Sequence, residues 1–238
     1  MAAQISRCGV EHMTTTVLEL QNITKRFGAL TANDDISLKL ERGEILAFLG
    51  ENGAGKTTLM NILFGHYVPD EGRVFVKGEE IPQGKPRAAI DAGVGMVHQH
   101  FTLAPNLTVL ENIITGTESL WKLKSAHSAA RSKIAEIAKR FGLQVDPDAR
   151  LGDLSVGEQQ RVEILKALYN DADILILDEP TAVLTTQEAE NLFATLKEMA
   201  RQGLSLIFIS HKLHEVLHIS DEISVIRDGK MIGTCLLY

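Results

Sequence analysis

Gly50-Glu51-Asn52-Gly53-Ala54-Gly55-Lys56-Thr57-Thr58 is the stretch whose residue types and spacing promise the most chemistry. Its glycines allow successive backbone N–H groups to turn inward, where a side chain would intrude, and such a ring of donors suits phosphate oxygens. The apolar run Ile45–Leu49 precedes it and helical periodicity follows from Lys56. The dipole of that coming helix adds positive charge at the same spot. This is the full phosphate-loop pattern in the strand-then-helix context it requires. In it Lys56 would reach the β- and γ-phosphates of a nucleotide, the Thr57 hydroxyl would ligate Mg²⁺, and Thr58 is a further candidate phosphate contact. The rival reading, a chance Gly-rich turn, has to explain away both flanking elements.

A second centre is Ile174-Leu175-Ile176-Leu177-Asp178-Glu179-Pro180. Four apolar residues make a buried strand, and Asp178 emerges at its carboxyl end, where sheet ligands sit. A carboxylate there can hold Mg²⁺, and Glu179 is placed to polarise a water attacking a γ-phosphate. An acidic turn capping a strand is the duller alternative, and the phosphate loop weighs against it. The third is Leu154-Ser155-Val156-Gly157-Glu158-Gln159-Gln160-Arg161, in which Ser155 fits a helix N-cap.

These residues need elements to hold them. Apolar runs bounded by Gly and Asp predict strands at Val17–Asn22, Asp35–Leu40, Ile45–Leu49, Arg73–Val76, Gly95–Val97, Ile174–Leu177, Ser205–Ile209 and Glu222–Ile226. Helical periodicity covers Lys56–Phe64, Ser128–Phe141, Gly157–Tyr169, Gln187–Arg201 and Leu213–Ile219. Strand–helix alternation in the second half predicts βαβ crossovers and a parallel sheet. The short successive strands before it predict an antiparallel piece, and the strand-free stretch at about 98–169 predicts a helical insertion. The expected organisation is a leader over 1–16 and one compact α/β unit over 17–238.

Composition narrows the function classes. Twenty-four Lys+Arg against 31 Asp+Glu give a net charge of −7 over 238 residues, which argues against holding nucleic acid by bulk positive charge. No run approaches the roughly 18–20 apolar residues needed to span a bilayer, so the chain is not expected to form a pore itself. Cys8 and Cys235 lie near opposite ends and form neither a disulfide framework nor a paired-cysteine metal signature, making reduced cytosol the default compartment. His214 and His218 have ligand-like helical spacing but read as a solvated face, and His98 and His100 flank Gln99 at strand-like spacing. Trp121 with Lys122 and Lys124 makes a poor nucleic-acid patch.

Taken together, the motifs resemble the ATP-binding-cassette family, over nearly the whole chain. The resemblance implies a P-loop NTPase core with a mostly parallel sheet, an N-terminal antiparallel β sub-region and a helical insertion. Segment 154–159 looks like the family signature, which implies that Ser155 and Gly157 face the γ-phosphate of a partner domain's ATP. Gln99, in Val97-His98-Gln99-His100, matches the glutamine loop, implying Mg²⁺ contact and coupling to a membrane subunit. His211, in Ile209-Ser210-His211-Lys212, matches the switch histidine, which contacts the γ-phosphate and orders Glu179. Phe27, in Lys25-Arg26-Phe27-Gly28, matches the aromatic position that stacks on adenine.

Two stretches depart from the common family pattern. Val156 and Glu158 stand where Gly and Gln are usual, and Ala182-Val183-Leu184-Thr185 stands where many members have a stretch ending in Asp. Both departures weaken a self-paired dimer. They look like the first half of two-cassette importers for simple sugars and nucleosides, and Gly95–Phe101 with Leu107–Asn112 is especially similar to nucleoside importers. That implies an ATP-hydrolysing subunit with ATP and Mg²⁺ as cofactors, peripheral to the cytoplasmic face of the membrane. Its implied partners are a second nucleotide-binding domain, transmembrane permease subunits and, indirectly, an extracytoplasmic solute-binding protein. A shortened or split first half is one expectation and a stand-alone subunit another. The alternatives are a non-transport cassette regulating a soluble assembly, and a half that binds ATP without productive dimerisation.

Overall fold

The computed structural model describes residues 15–98, 103–115 and 123–237. The chain opens with β1 (Thr16–Phe27) and β2 (Leu30–Glu41), an antiparallel ribbon, then β3 (Ile45–Leu49) and α1 (Lys56–Leu63). After β4 (Glu71–Val76), β5 (Glu79–Glu80), α2 (Pro86–Asp91) and β6 (Val94–Val97) come three helices: α3 (Val109–Ile114), α4 (Leu123–Phe141) and α5 (Val156–Tyr169). Strands and helices then alternate as β7 (Ile174–Asp178), α6 (Thr186–Arg201), β8 (Ser205–Ser210), α7 (Leu213–Ile219), β9 (Glu222–Arg227) and β10 (Lys230–Leu236).

The described residues form two sheets. One has four antiparallel strands in the order β2-β1-β4-β5; the other has six in the order β10-β9-β3-β8-β7-β6. In the larger sheet every neighbouring pair is parallel except β9 with β10. Period-two alternation decides its packing. Ile45, Leu175, Leu177, Leu206 and Phe208 face a layer built from α3, α4, α5 and α6. Leu46, Phe48, Ile174, Ile176, Ile207 and Ile209 face the opposite way, onto α1 and the antiparallel sheet. Because both faces are covered, β7 and β8 are buried at every residue and read as unbroken apolar runs.

The first two strands extend well past Asn22 and Asp35, where turn-forming residue types suggest they should stop. Asn22 and Asp35 both take left-handed φ (51° and 54°), and the Asn22 amide donates to Asp35 Oδ1 at 2.8 Å. They sit in a bulged register, and cross-strand pairing resumes on the far side with Ile23 opposite Ile36. Tertiary pairing thus carries the ribbon through residues whose local preference is a turn. Four further elements lie outside the predicted strands and helices, and one of them, β5, has only two residues. Helices α2 and α3 have only six residues each, too short for periodicity to register. Thr108 and Glu111 nevertheless form a reciprocal capping box at α3. Strand β10 is mostly exposed and pairs only with β9, so no alternating apolar face marks it.

Candidate nucleotide site

The loop between β3 and α1 is built around its glycines. Gly55 is the N-cap of α1 at φ 102°, and Gly53 has φ 82°. A Cβ on Gly55 would stand 2.2 Å from the Ala32 carbonyl oxygen, and one on Gly50 2.5 Å from that of Ile226. Only glycine fits at either place. Behind the loop, Asn33, fully buried in β2, donates its side-chain amide to the Gly55 carbonyl at 3.1 Å. The Gly229 N–H donates to the Ala54 carbonyl, also at 3.1 Å. The loop is therefore clasped from outside by β2 and the β9–β10 turn, and its inner side faces a cleft of about 610 Å³.

Phe27, Asn52, Gly53, Gly55, Lys56, Thr57, Thr58, Asp178 and Glu179 all line that cleft. Of the remaining loop residues, Gly50 and Glu51 supply the carbonyls to which Lys56 Nζ donates, at 2.7 and 2.9 Å. Ala54 is buried in the core behind them. Burial lowers the Lys56 ammonium pKa, against the opposing pull of the Glu179 and Asp178 carboxylates. Asp178, at the end of β7, is pushed the other way: burial and then the neighbouring Glu179 charge raise it, while His98, Lys56 and a hydrogen bond from Thr57 oppose the rise. The Thr57 hydroxyl and the Asp178 carboxylate thus lie side by side on the cleft, and two such hard oxygens suit Mg²⁺. A glycine cradle, a lysine with two of its three donors used and an oxygen pair suit a Mg²⁺-bound nucleoside triphosphate.

Glu179 lies at φ 48°, in the left-handed region that a non-glycine residue adopts only at a cost. Its N–H donates to the Ile209 carbonyl at 3.0 Å, which pins it to the end of β8. The Gln160 amide, buried in α5, donates to the Pro180 carbonyl at 2.7 Å. Glu179 Oε1 lies 2.9 Å from Nδ1 of His211, the first residue after β8. Phe27 sits at the mouth of the cleft, 45% exposed and edge-on to Tyr67, with centroids 5.6 Å apart.

Ser155 and Gly157 do not join this cleft. They line a separate recess with Arg161, Leu184 and Glu188. Ser155 caps α5: its hydroxyl accepts from the Glu158 N–H at 3.3 Å and donates to Glu158 Oε2 at 2.8 Å. Glu158 is therefore the reciprocal half of a capping box, a geometry that Gln would also satisfy, so its departure from the family pattern is one of charge. Thr185, in the other departing stretch, caps α6 in the same way with Glu188. The Glu188 carboxyl lies below its usual range, held chiefly by the Thr185 N–H and also by that of Gly157. Gln99 lies outside the described residues. Leu30, Thr31, Ala32, Asp228 and Gly229 also line the cleft and were not anticipated. Asp228-Gly229, with φ 49° and 75°, is an Asp-Gly hairpin between two strands, a signal that the sequence carries openly. Leu30–Ala32 carries none.

A three-layer α/β fold, a glycine loop opening a helix after β3 and an acidic pair at the end of β7, two strands away in the same sheet, define a phosphate-loop nucleotide-binding protein. A family model described as ABC transporter matches residues 33–182, and the chain belongs to that family. The nucleoside import ATP-binding protein NupA of Lactococcus lactis subsp. cremoris is 52% identical over 219 residues, covering 92% of this chain and 43% of that protein. The ribose import ATP-binding protein RbsA 1 of Burkholderia thailandensis is 49% identical over 220 residues, covering 92% and 44%. The chain thus spans less than half the length of these relatives. Among solved structures, the ADP conformation of an ABC transporter's ATP-binding cassette superposes with a TM-score of 0.83 at 28% identity, covering 94% of this chain and 92% of that one. A dimeric bacterial ABC transporter cassette gives 0.75 at 26% identity, covering 93% and 99%. No helix among the described residues is long and apolar enough to cross a membrane.

Proposed function

We propose that the chain is the ATP-binding and ATP-hydrolysing module of an importer for nucleosides or simple sugars, acting as a single nucleotide-binding domain over 17–238 with a helical insertion at about 98–169. The observation that carries the hydrolytic part is the 2.9 Å contact between His211 Nδ1 and Glu179 Oε1, with Glu179 on the same cleft as Lys56 and Thr57. In this reading the backbone of Gly50–Gly55 and the hydroxyl of Thr58 hold the phosphates. Lys56, with two of its three donors spent on loop carbonyls, offers the third to the β- and γ-phosphates. Phe27 packs on the adenine. Glu179 orients the attacking water and accepts its proton, and His211 keeps the Glu179 carboxylate aimed while reaching the γ-phosphate. Thr57 and Asp178, with Gln99, would hold Mg²⁺, which supplies neutralisation of charge on the transferred phosphoryl group.

Ser155 and Gly157 serve the ATP of a second nucleotide-binding domain, on the same or another chain. Their separation from this chain's cleft supports that division. Closure and reopening of the two-domain sandwich would drive transmembrane permease subunits, supplied with solute by an extracytoplasmic binding protein, with this module peripheral to the cytoplasmic face. The names of NupA and RbsA 1 support a nucleoside or ribose cargo. The deciding experiment is Glu179→Gln: ATP binding persists, whereas steady hydrolysis drops roughly 100-fold or more, in the range of general acid–base contributions. Wild-type turnover in that variant would remove the base assignment. A steeper than linear rise of wild-type activity with protein concentration tests the need for a second domain, and activity undetectable at any concentration would favour a binding-only half.

A further inference from the structure

Glu215, in the first turn of α7, is only 4% exposed, yet it lines no part of the cleft. Its Oε2 accepts from Thr181 Oγ1 at 2.7 Å and from Ser210 Oγ at 3.0 Å, and its Oε1 from Lys212 Nζ at 2.9 Å. Ser210 Oγ in turn accepts from the Lys212 backbone N–H at 3.0 Å. Burial alone would raise the Glu215 carboxyl; the three side-chain hydrogen bonds outweigh it and hold the group below its usual range. The placement of the donors matters more than their number. Thr181 lies two residues beyond Glu179, and Ser210 and Lys212 flank His211 on either side.

We propose that Glu215 is a positioning residue for hydrolysis, tying the β7–α6 and β8–α7 connections so that Glu179 and His211 stay within hydrogen-bonding distance. The proposal rests on the reading of Glu179 as the water-orienting base. Apart from the tie, Glu179 is held by its own N–H on the Ile209 carbonyl, by the Ala182 N–H on its carbonyl and by the Pro180 carbonyl on Gln160, and none of these bonds reaches Lys212 or Glu215. A residue in left-handed backbone is inclined to relax when its surroundings loosen. A buried carboxylate is a costly way to stabilise a helix start, because an apolar side chain of similar size would usually serve as well. Its return is geometric, since one group with directional bonds to three donors admits one arrangement of the two connections.

The test uses the full chain with Glu215→Gln, Glu215→Ala, Ser210→Ala and Thr181→Val, the last two each deleting a single donor. The expected result is a kcat reduced about 10–100-fold in the Glu215 variants, as for a misplacement near 1 Å, with ATP affinity within about twofold of wild type. Glu215→Gln should recover part of the rate lost in Glu215→Ala. Independently of turnover, the His211 imidazole resonances should shift in the nucleotide-free Glu215 variants toward those of Glu179→Gln. Unchanged His211 resonances with wild-type kcat would overturn the proposal, as would equal losses of ATP affinity and kcat, which mark general misfolding. Should Glu215→Ala fail to fold, Ser210→Ala and Thr181→Val decide by the same readouts. A Glu179→Gln control that still turns over at wild-type rate means that the base assignment has failed; a collapsed control beside normal Glu215 variants means that only the positioning proposal has.

Discussion

The phosphate loop shares its cleft with Glu179, yet the loop and the Glu179–His211 pair are constructed in opposite ways. The loop is a single run of neighbours whose shape follows from where its glycines fall: Gly53 and Gly55 take positive φ, and α1 begins at Lys56. The pair comes from two connections 32 residues apart, and its acidic member holds a backbone conformation that its residue type disfavours. A local structure can be specified by local residue choice. A strained one has to be imposed by packing, here through Ile209, Gln160 and the Glu215 knot. Under the proposed function the difference makes binding and hydrolysis separable: damage to the loop should abolish both, while damage to the supports of the pair should spare binding.

Gly55→Ala should break the loop side most severely. The added methyl meets the Ala32 carbonyl oxygen at 2.2 Å and the position requires φ 102°, so a loss of about 3 kcal/mol or more is expected together with loss of ATP binding. Urea unfolding and nucleotide titration check it, and a near-normal variant would show the loop to be softer than its packing implies. Gly53→Ala isolates backbone preference, because φ is 82° there but no atom lies within 4 Å of the added carbon. About 1–2 kcal/mol is expected, with binding weakened and not lost.

Asp178→Asn should move stability and activity in opposite directions. Burial raises the folded-state carboxyl, so the folded chain holds this proton more tightly than the unfolded chain does. Stability therefore declines as pH rises from the ordinary carboxylate range through the raised value, and the penalty is complete above it. Removing the charge should add about 1 kcal/mol at pH 7, or roughly 2–4 °C in Tm, while Mg²⁺-dependent hydrolysis is lost. A melting temperature below wild type would mean that Lys56 and Thr57 already offset the burial, leaving the acidic side of the cleft as self-supporting as the loop.

Much of this was legible in residue order. The phosphate loop, the apolar strand ending in Asp178 and the helix opening at Ser155 are contiguous patterns, and contiguous patterns express local physics. The two-sided burial of β7 and β8 shows in unbroken apolar runs, and strand–helix alternation is why a parallel sheet could be inferred without any pairing information. Residues 22–35 were misleading because Asn, Asp, Thr and Gly prefer turns locally, whereas the long ribbon exists only through its cross-strand bonds. The Asp228-Gly229 hairpin could be recognised as a turn, but nothing in its sequence said that it closes against Ala54 and completes the cleft wall.

By itself, then, the sequence determined the chemistry available and the class of fold: a glycine loop, two carboxylates, a histidine, and alternating strands and helices to carry them. Tertiary structure alone decided that His211 lies against Glu179, that Asp178 meets Thr57, that Ser155 and Gly157 stand apart from the cleft, and that Thr181, Ser210 and Lys212 converge on Glu215. The reason is distance along the chain. Local preferences act over a few residues, and contacts between connections tens of residues apart exist only once burial of both sheet faces has fixed where the strand ends lie.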